Sequence, residues 1–148
     1  MWVYVMSEKT IFFRKLIHVN ACSRMIRKLR KILIYGTCLR DEHPEILETF
    51  SKSRVPLAVC LEEEHMNMVG FKLATMMKTC EPHEIVVLTV DGSPHCVQLH
   101  MMVEECLKLV PGITIKHYVV YKGDVIEVSP KVVKTARYLS KVKKLLGK

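Results

Sequence analysis

At 148 residues the chain has the length of a single domain, and with 49% hydrophobic residues it can bury a core without disulfide staples. No run of about 18 apolar residues occurs, which argues against a membrane-spanning helix. The formal net charge of +8 belongs to the two ends: residues 1–36 hold eight basic residues against one acidic, residues 37–128 hold eight against 14, and residues 129–148 hold seven against none.

The opening Trp2-Val3-Tyr4-Val5-Met6 is cut short by Ser7-Glu8-Lys9, a poor match to a secretory signal. The expectation is a cytoplasmic protein whose cysteines, Cys22, Cys38, Cys60, Cys80, Cys96 and Cys106, are reduced. Residues 1–24 read as an N-terminal extension of uncertain structure, in which Ile11 to Ile17 suits an amphipathic helix or an extra strand. Met25 opens the domain proper, which runs to residue 148. Ile32 to Tyr35 is a short, wholly apolar run, as in a strand buried on both faces, and Gly36-Thr37 ends it. Pro44 can begin a helix carrying Ile46, Leu47 and Phe50.

A second strand spans Pro56 to Cys60. Glu62-Glu63-Glu64 then favour a helix start, and Met66, Val69, Leu73, Met77 and Cys80 repeat at a period near 3.6. Ile85 to Val90 is the third strand. After Asp91-Gly92, Ser93 and Pro94 read as N-cap and N1 of a helix that Pro111-Gly112 stops. A fourth strand covers Ile113 to Tyr121. Lys122-Gly123-Asp124 turns the chain into an edge strand at Val125–Val128, and Ser129-Pro130 begins a final helix. Strands alternating with helices imply parallel crossovers. The expected fold is α/β, a three-layer sandwich with a mostly parallel sheet of about four or five strands, resembling the flavodoxin and Rossmann folds.

Open parallel sheets bind ligands at the carboxyl ends of their strands. The first three strands end in Gly36-Thr37-Cys38, in Val59-Cys60, and in Asp91-Gly92-Ser93-Pro94-His95-Cys96. Each therefore delivers one cysteine to a single edge, and neighbouring strands would bring Cys38, Cys60 and Cys96 together. Such thiols suit three chemistries: an iron–sulfur cluster, a zinc site, or a reversible disulfide. His95, His65 and Cys22 are the available fourth ligands. His100, one helical turn after Cys96, and Asp91 are expected to support the site, although His100 also suits a half-buried place at a helix rim. Cys96, in a helix first turn, is expected to have a lower thiol pKa than Cys80 or Cys106, which fall on apolar stripes and read as core.

Ser93-Pro94-His95-Cys96 is similar to the active-site turn of thioredoxin-fold oxidoreductases, with serine where their nucleophilic cysteine stands. The wider layout resembles flavodoxin-like iron–sulfur subunits, whose cysteines at strand ends hold a cluster, but their cysteine-rich loops are missing. No Cys-x-x-Cys, dinucleotide fingerprint, phosphate-binding loop or Gly-x-Ser-x-Gly elbow occurs. The expected function is thus a cysteine-based metal-binding, iron–sulfur or thiol-redox protein, working with a redox partner protein and without a membrane. The alternative is a protein-interaction or nucleic-acid-binding module with structural cysteines. In that reading Arg24, Arg27, Lys28, Arg30 and Lys31 join Lys131, Lys134, Arg137, Lys141, Lys143, Lys144 and Lys148 in one basic surface.

Overall fold

A computed structural model describes residues 13–147. The apolar opening at residues 2–6 and the first part of the Ile11–Ile17 segment lie outside the described residues. Among the described residues six strands form one sheet: β1 (Arg14–Lys15), β2 (Lys31–Gly36), β3 (Val55–Val59), β4 (Glu84–Val90), β5 (Thr114–Tyr121) and β6 (Asp124–Val128). Their spatial order is β1-β3-β2-β4-β5-β6, parallel throughout except for the antiparallel β5–β6 pair. The helices are α1 (Arg24–Leu29), α2 (Leu39–Glu42), α3 (Pro44–Ser51), α4 (Met66–Cys80), α5 (Pro94–Leu109), α6 (Pro130–Ala136) and α7 (Leu139–Leu145).

This order follows from the handedness of crossovers. The chain leaves β2 for β3 on one side, by way of α2 and α3, then returns across β2 to β4 and on to β5. Right-handed connections in opposite directions must lie on opposite faces of the sheet. Accordingly, Leu39 and Leu47 of α2 and α3 pack on Leu33, Tyr35, Ala58 and Leu88. Val69, Leu73 and Met76 of α4 and Leu99 and Val103 of α5 pack on Ile32, Ile34, Leu57 and Val87. The alternation of the strands serves both cores at once, which is why they read as continuous apolar runs. The reversal of direction between β2 and β4 creates a crevice at the carboxyl edge, where ligands bind in folds of this kind.

Within Ile11–Ile17 the extra strand is the alternative that the structure shows, as β1, and residues 13–24 pack on the domain. Arg14 and Lys15 pair with Leu57 and Ala58, Leu16 is fully buried, and Phe13 meets Tyr35 edge to face with ring centroids 6.1 Å apart. Glu62–Glu64 precede α4 rather than starting it. Cys60 O accepts from the Glu63 and Glu64 amides in a tight turn, and His65 takes the N-cap, its Nδ1 accepting from Asn67 N at 3.1 Å. The final helix breaks at Arg137–Tyr138, between α6 and α7.

Both basic ends pack on the domain. α1 belongs to the core on the β3 side, whereas α6 buries Val133 beside α5 and β5. Three strand spacings of about 4.8 Å separate β3 from β5.

Candidate functional site

The carboxyl edge collects one cysteine from each of three consecutive βα turns, from Cys38 just after β2, Cys60 just after β3, and Cys96 in the first turn of α5. Local chemistry fixes each turn. Cys38 is exposed and opens α2, its carbonyl accepting from Asp41 N and Glu42 N. Cys60 is half-buried; its amide donates to Glu64 Oε1 at 3.4 Å, and Lys15 Nζ reaches Glu63 Oε1 at 2.7 Å, tying β1 to the same turn. Ser93 caps α5, its hydroxyl accepting from Cys96 N at 3.4 Å, and Pro94 holds the N1 position.

Gly36 is where the crevice closes. A Cβ at this position would stand 3.8 Å from Cys96 Sγ, 3.8 Å from Thr89 Cα and 3.9 Å from Thr89 Cβ. The end of β2, the end of β4 and the start of α5 therefore meet over one residue without a side chain.

The thiol of Cys96 is half-buried, and burial raises its pKa above the usual value. The Ser93 hydroxyl and the Val90 backbone pull it down, and the negative charge of Cys38 and Cys60 pushes it up. Cys38 and Cys60 thus both lie near enough to Cys96 to act on it. Burial also raises Cys80 and Cys106, the latter to about 11, so desolvation acts on all three thiols. Among the described residues, no three His, Cys, Asp or Glu side chains stand close enough together to hold a metal ion. His95 lies half-buried next to Cys96, and His65 is exposed at the head of α4.

The other cysteines lie elsewhere. Cys80 ends α4 at the opposite edge, and its thiol donates to Ala21 O at 3.0 Å. Cys22, the neighbour of Ala21, is thereby removed from the carboxyl edge and is no fourth ligand. Cys106 is buried between helices, its thiol donating to Gly70 O at 3.4 Å, and burial pushes its pKa up to about 11.

His100 is not at a rim. It is 4% exposed beneath α5, with Nε2 2.8 Å from Thr89 Oγ1 and Nδ1 2.8 Å from His117 Nδ1. Both ring nitrogens are thus engaged, which leaves none for Asp91, an exposed residue whose amide donates to Val120 O. His117 in β5 is fully buried, and its Nε2 lies 2.9 Å from Glu104 Oε2. Thr89, His117 and Glu104 were not singled out from the sequence. Two signals were present: Cys96, His100 and Glu104 recur every four residues along α5, and His117 interrupts the apolar face of β5 between Ile115 and Val119.

Residues 25–146 match a family model described as a Rossmann-like domain. No curated protein and no solved structure matches the chain at a significant level. Among the described residues no helix is long and apolar enough to cross a membrane.

Proposed function

The chain belongs to the Rossmann-like domain family, and on that footing we propose that its crevice is a thiolate site worked by Cys38, Cys60 and Cys96. One observation carries the reading: three consecutive βα turns each bring a cysteine to the point where strand order reverses, and the end of β2 at Gly36 lies against Cys96 Sγ. Core packing accounts for Cys80 and Cys106 but not for the exposed Cys38. Thiol–disulfide exchange is the chemistry these groups can perform without further donors. The Cys38 thiolate attacks one sulfur of a disulfide substrate, the substrate S–S bond breaks, and one substrate thiolate leaves. Cys96 or Cys60 then attacks the Cys38 sulfur and releases the second substrate thiol. The substrate gains two electrons, the protein keeps a disulfide, and a redox partner protein restores the thiols. A cytoplasmic setting suits this cycle, because thiols there are kept reduced.

The adjacency of His95 to Cys96 favours a second reading. Cys38, Cys60, Cys96 and His95 would rotate inward around zinc or an iron–sulfur cluster, with Asp91 nearby on the same turn. Iron, zinc and sulfide analysis after anaerobic purification, paired with a count of reversibly oxidised thiols, separates the two. Exchange predicts no stoichiometric metal and a two-electron oxidation that Cys38→Ser abolishes. Stoichiometric metal lost in Cys38→Ser establishes the second reading instead. Neither metal nor reversible oxidation overturns both, and leaves the module with structural cysteines and basic ends that bind protein or nucleic acid.

A further inference from the structure

A continuous line of hydrogen bonds runs under α5 from the crevice to the protein surface. It begins at Thr89, which borders the Gly36 gap, passes through His100 and His117, and ends at Glu104, whose side chain is 20% exposed. Three buried polar groups in an otherwise apolar layer are costly unless every one is satisfied. Here one arrangement of hydrogens satisfies them all with both imidazoles neutral. The Thr89 hydroxyl donates to His100 Nε2, His100 Nδ1–H donates to His117 Nδ1, and His117 Nε2–H donates to the Glu104 carboxylate. The reverse polarity uses the same contacts: a protonated Glu104 donates to His117 Nε2, His117 Nδ1–H to His100 Nδ1, and His100 Nε2–H to Thr89 Oγ1, which frees the Thr89 hydrogen for another acceptor.

We propose that Thr89, His100, His117 and Glu104 form a proton relay joining the surface carboxylate to the Gly36 crevice, so that Glu104 stores the proton of a thiol that reacts there and returns it to the thiolate that leaves. The assignment of a thiol as the crevice reactant rests on the thiolate reading of the site. In the forward step the thiol gives its proton to Thr89 Oγ1, Thr89 gives its own to His100 Nε2, His100 passes its Nδ1 proton to His117 Nδ1, and His117 passes its Nε2 proton to Glu104. One S–H bond is lost and one carboxylic O–H is gained. When the leaving thiolate takes the Thr89 hydrogen, each transfer runs back. Neither histidine becomes a cation at either end, which fits their surroundings: burial lowers both pKa values, His100 to about 3. The charged groups around the line are Glu104 and, beside it, Glu105 paired with Arg137, a cation that feels the Glu104 charge.

Glu104→Gln keeps an acceptor for His117 Nε2–H but cannot take up the proton. Thiol exchange in the wild type and in this variant should be followed with two probes, hydroxyethyl disulfide, whose leaving thiolate is basic, and an aromatic disulfide, whose leaving thiolate is stable without a proton. The relay predicts a rate loss of about a hundredfold or more with the first, within the range of general acid–base catalysis, and little change with the second. A structural role alone would slow both alike, and equal effects overturn the coupling. Ring ¹⁵N spectra test the line itself, and the expected resting forms at neutral pH are His100 Nδ1–H and His117 Nε2–H. A charged imidazole or a mixture of tautomers overturns the relay while leaving the thiolate reading intact. No exchange by the wild type with either probe overturns the thiolate reading and the coupling with it, even where the spectra are as expected.

Discussion

Burial keeps His100 uncharged, and that has a measurable cost in acid. Its pKa is lowered from 6.5 to about 3, first by desolvation and then by His117, and His117 is lowered too, by burial against the opposing pull of Glu104. The unfolded chain therefore binds more protons than the folded one at mildly acidic pH. Stability from these groups is complete above about pH 6.5 and falls as pH drops toward the folded values. At about 1.4 kcal/mol per unit, the loss from His100 between about pH 6.5 and pH 4 is on the order of 3 kcal/mol. Urea denaturation across that range should show it. His100→Gln should flatten the slope. The facing groups are Thr89 from β4, His117 from β5 and Glu104 from α5 itself, so the slope reports the buried line as a unit.

Between elements, α4 meets α5 at Gly70. A Cβ there would lie 3.5 Å from Met102 Cγ and 4.0 Å from Cys106 Sγ, ordinary van der Waals distances. Gly70→Ala should thus stabilise the fold by about 0.5–1 kcal/mol, because alanine is the better helix former. Gly70→Leu should overpack the seam and cost about 1–3 kcal/mol. Both follow from denaturant midpoints. The elements themselves were legible in the sequence wherever the apolar pattern was strong. The strands at Ile32, Pro56 and Ile85, and the helix stop at Pro111-Gly112, stand within about a residue or two of their expected places. What the sequence hid depended on tertiary context. The two-residue β1 exists only because β3 offers an edge, and the break at Arg137–Tyr138 has no proline or glycine to mark it. The edge shared by Cys38, Cys60 and Cys96 could be read from strand order, whereas the His100–His117 contact joins a helix to a strand and has no local signature.

At the scale of the molecule, the sheet separates two kinds of chemistry. The carboxyl edge holds the three sulfurs and the mouth of the buried histidine line. The opposite edge is held by ionic ties, with Glu84 at the foot of β4 bound to Arg54 at 2.8 Å and to Lys116 at 3.6 Å. None of the α7 side chains is buried, and its Lys141, Lys143 and Lys144 are exposed. Replacing Lys134, Lys141 and Lys144 by Gln should leave thiol exchange at wild-type rates. Affinity for a DNA duplex should fall, with a shallower salt dependence of about 0.9 per phosphate contact removed. A titration at several salt concentrations measures both.

The location of the site is tested most directly by mapping disulfides after oxidation with oxidised glutathione. The fully reduced protein is treated, quenched, digested and read by mass spectrometry for linked cysteine peptides. The thiolate reading predicts one intramolecular disulfide joining two of Cys38, Cys60 and Cys96, formed with release of two glutathione thiols, while the buried Cys80 and Cys106 stay reduced. Oxidation confined to Cys22 and Cys80, or the absence of any link among Cys38, Cys60 and Cys96, would contradict it.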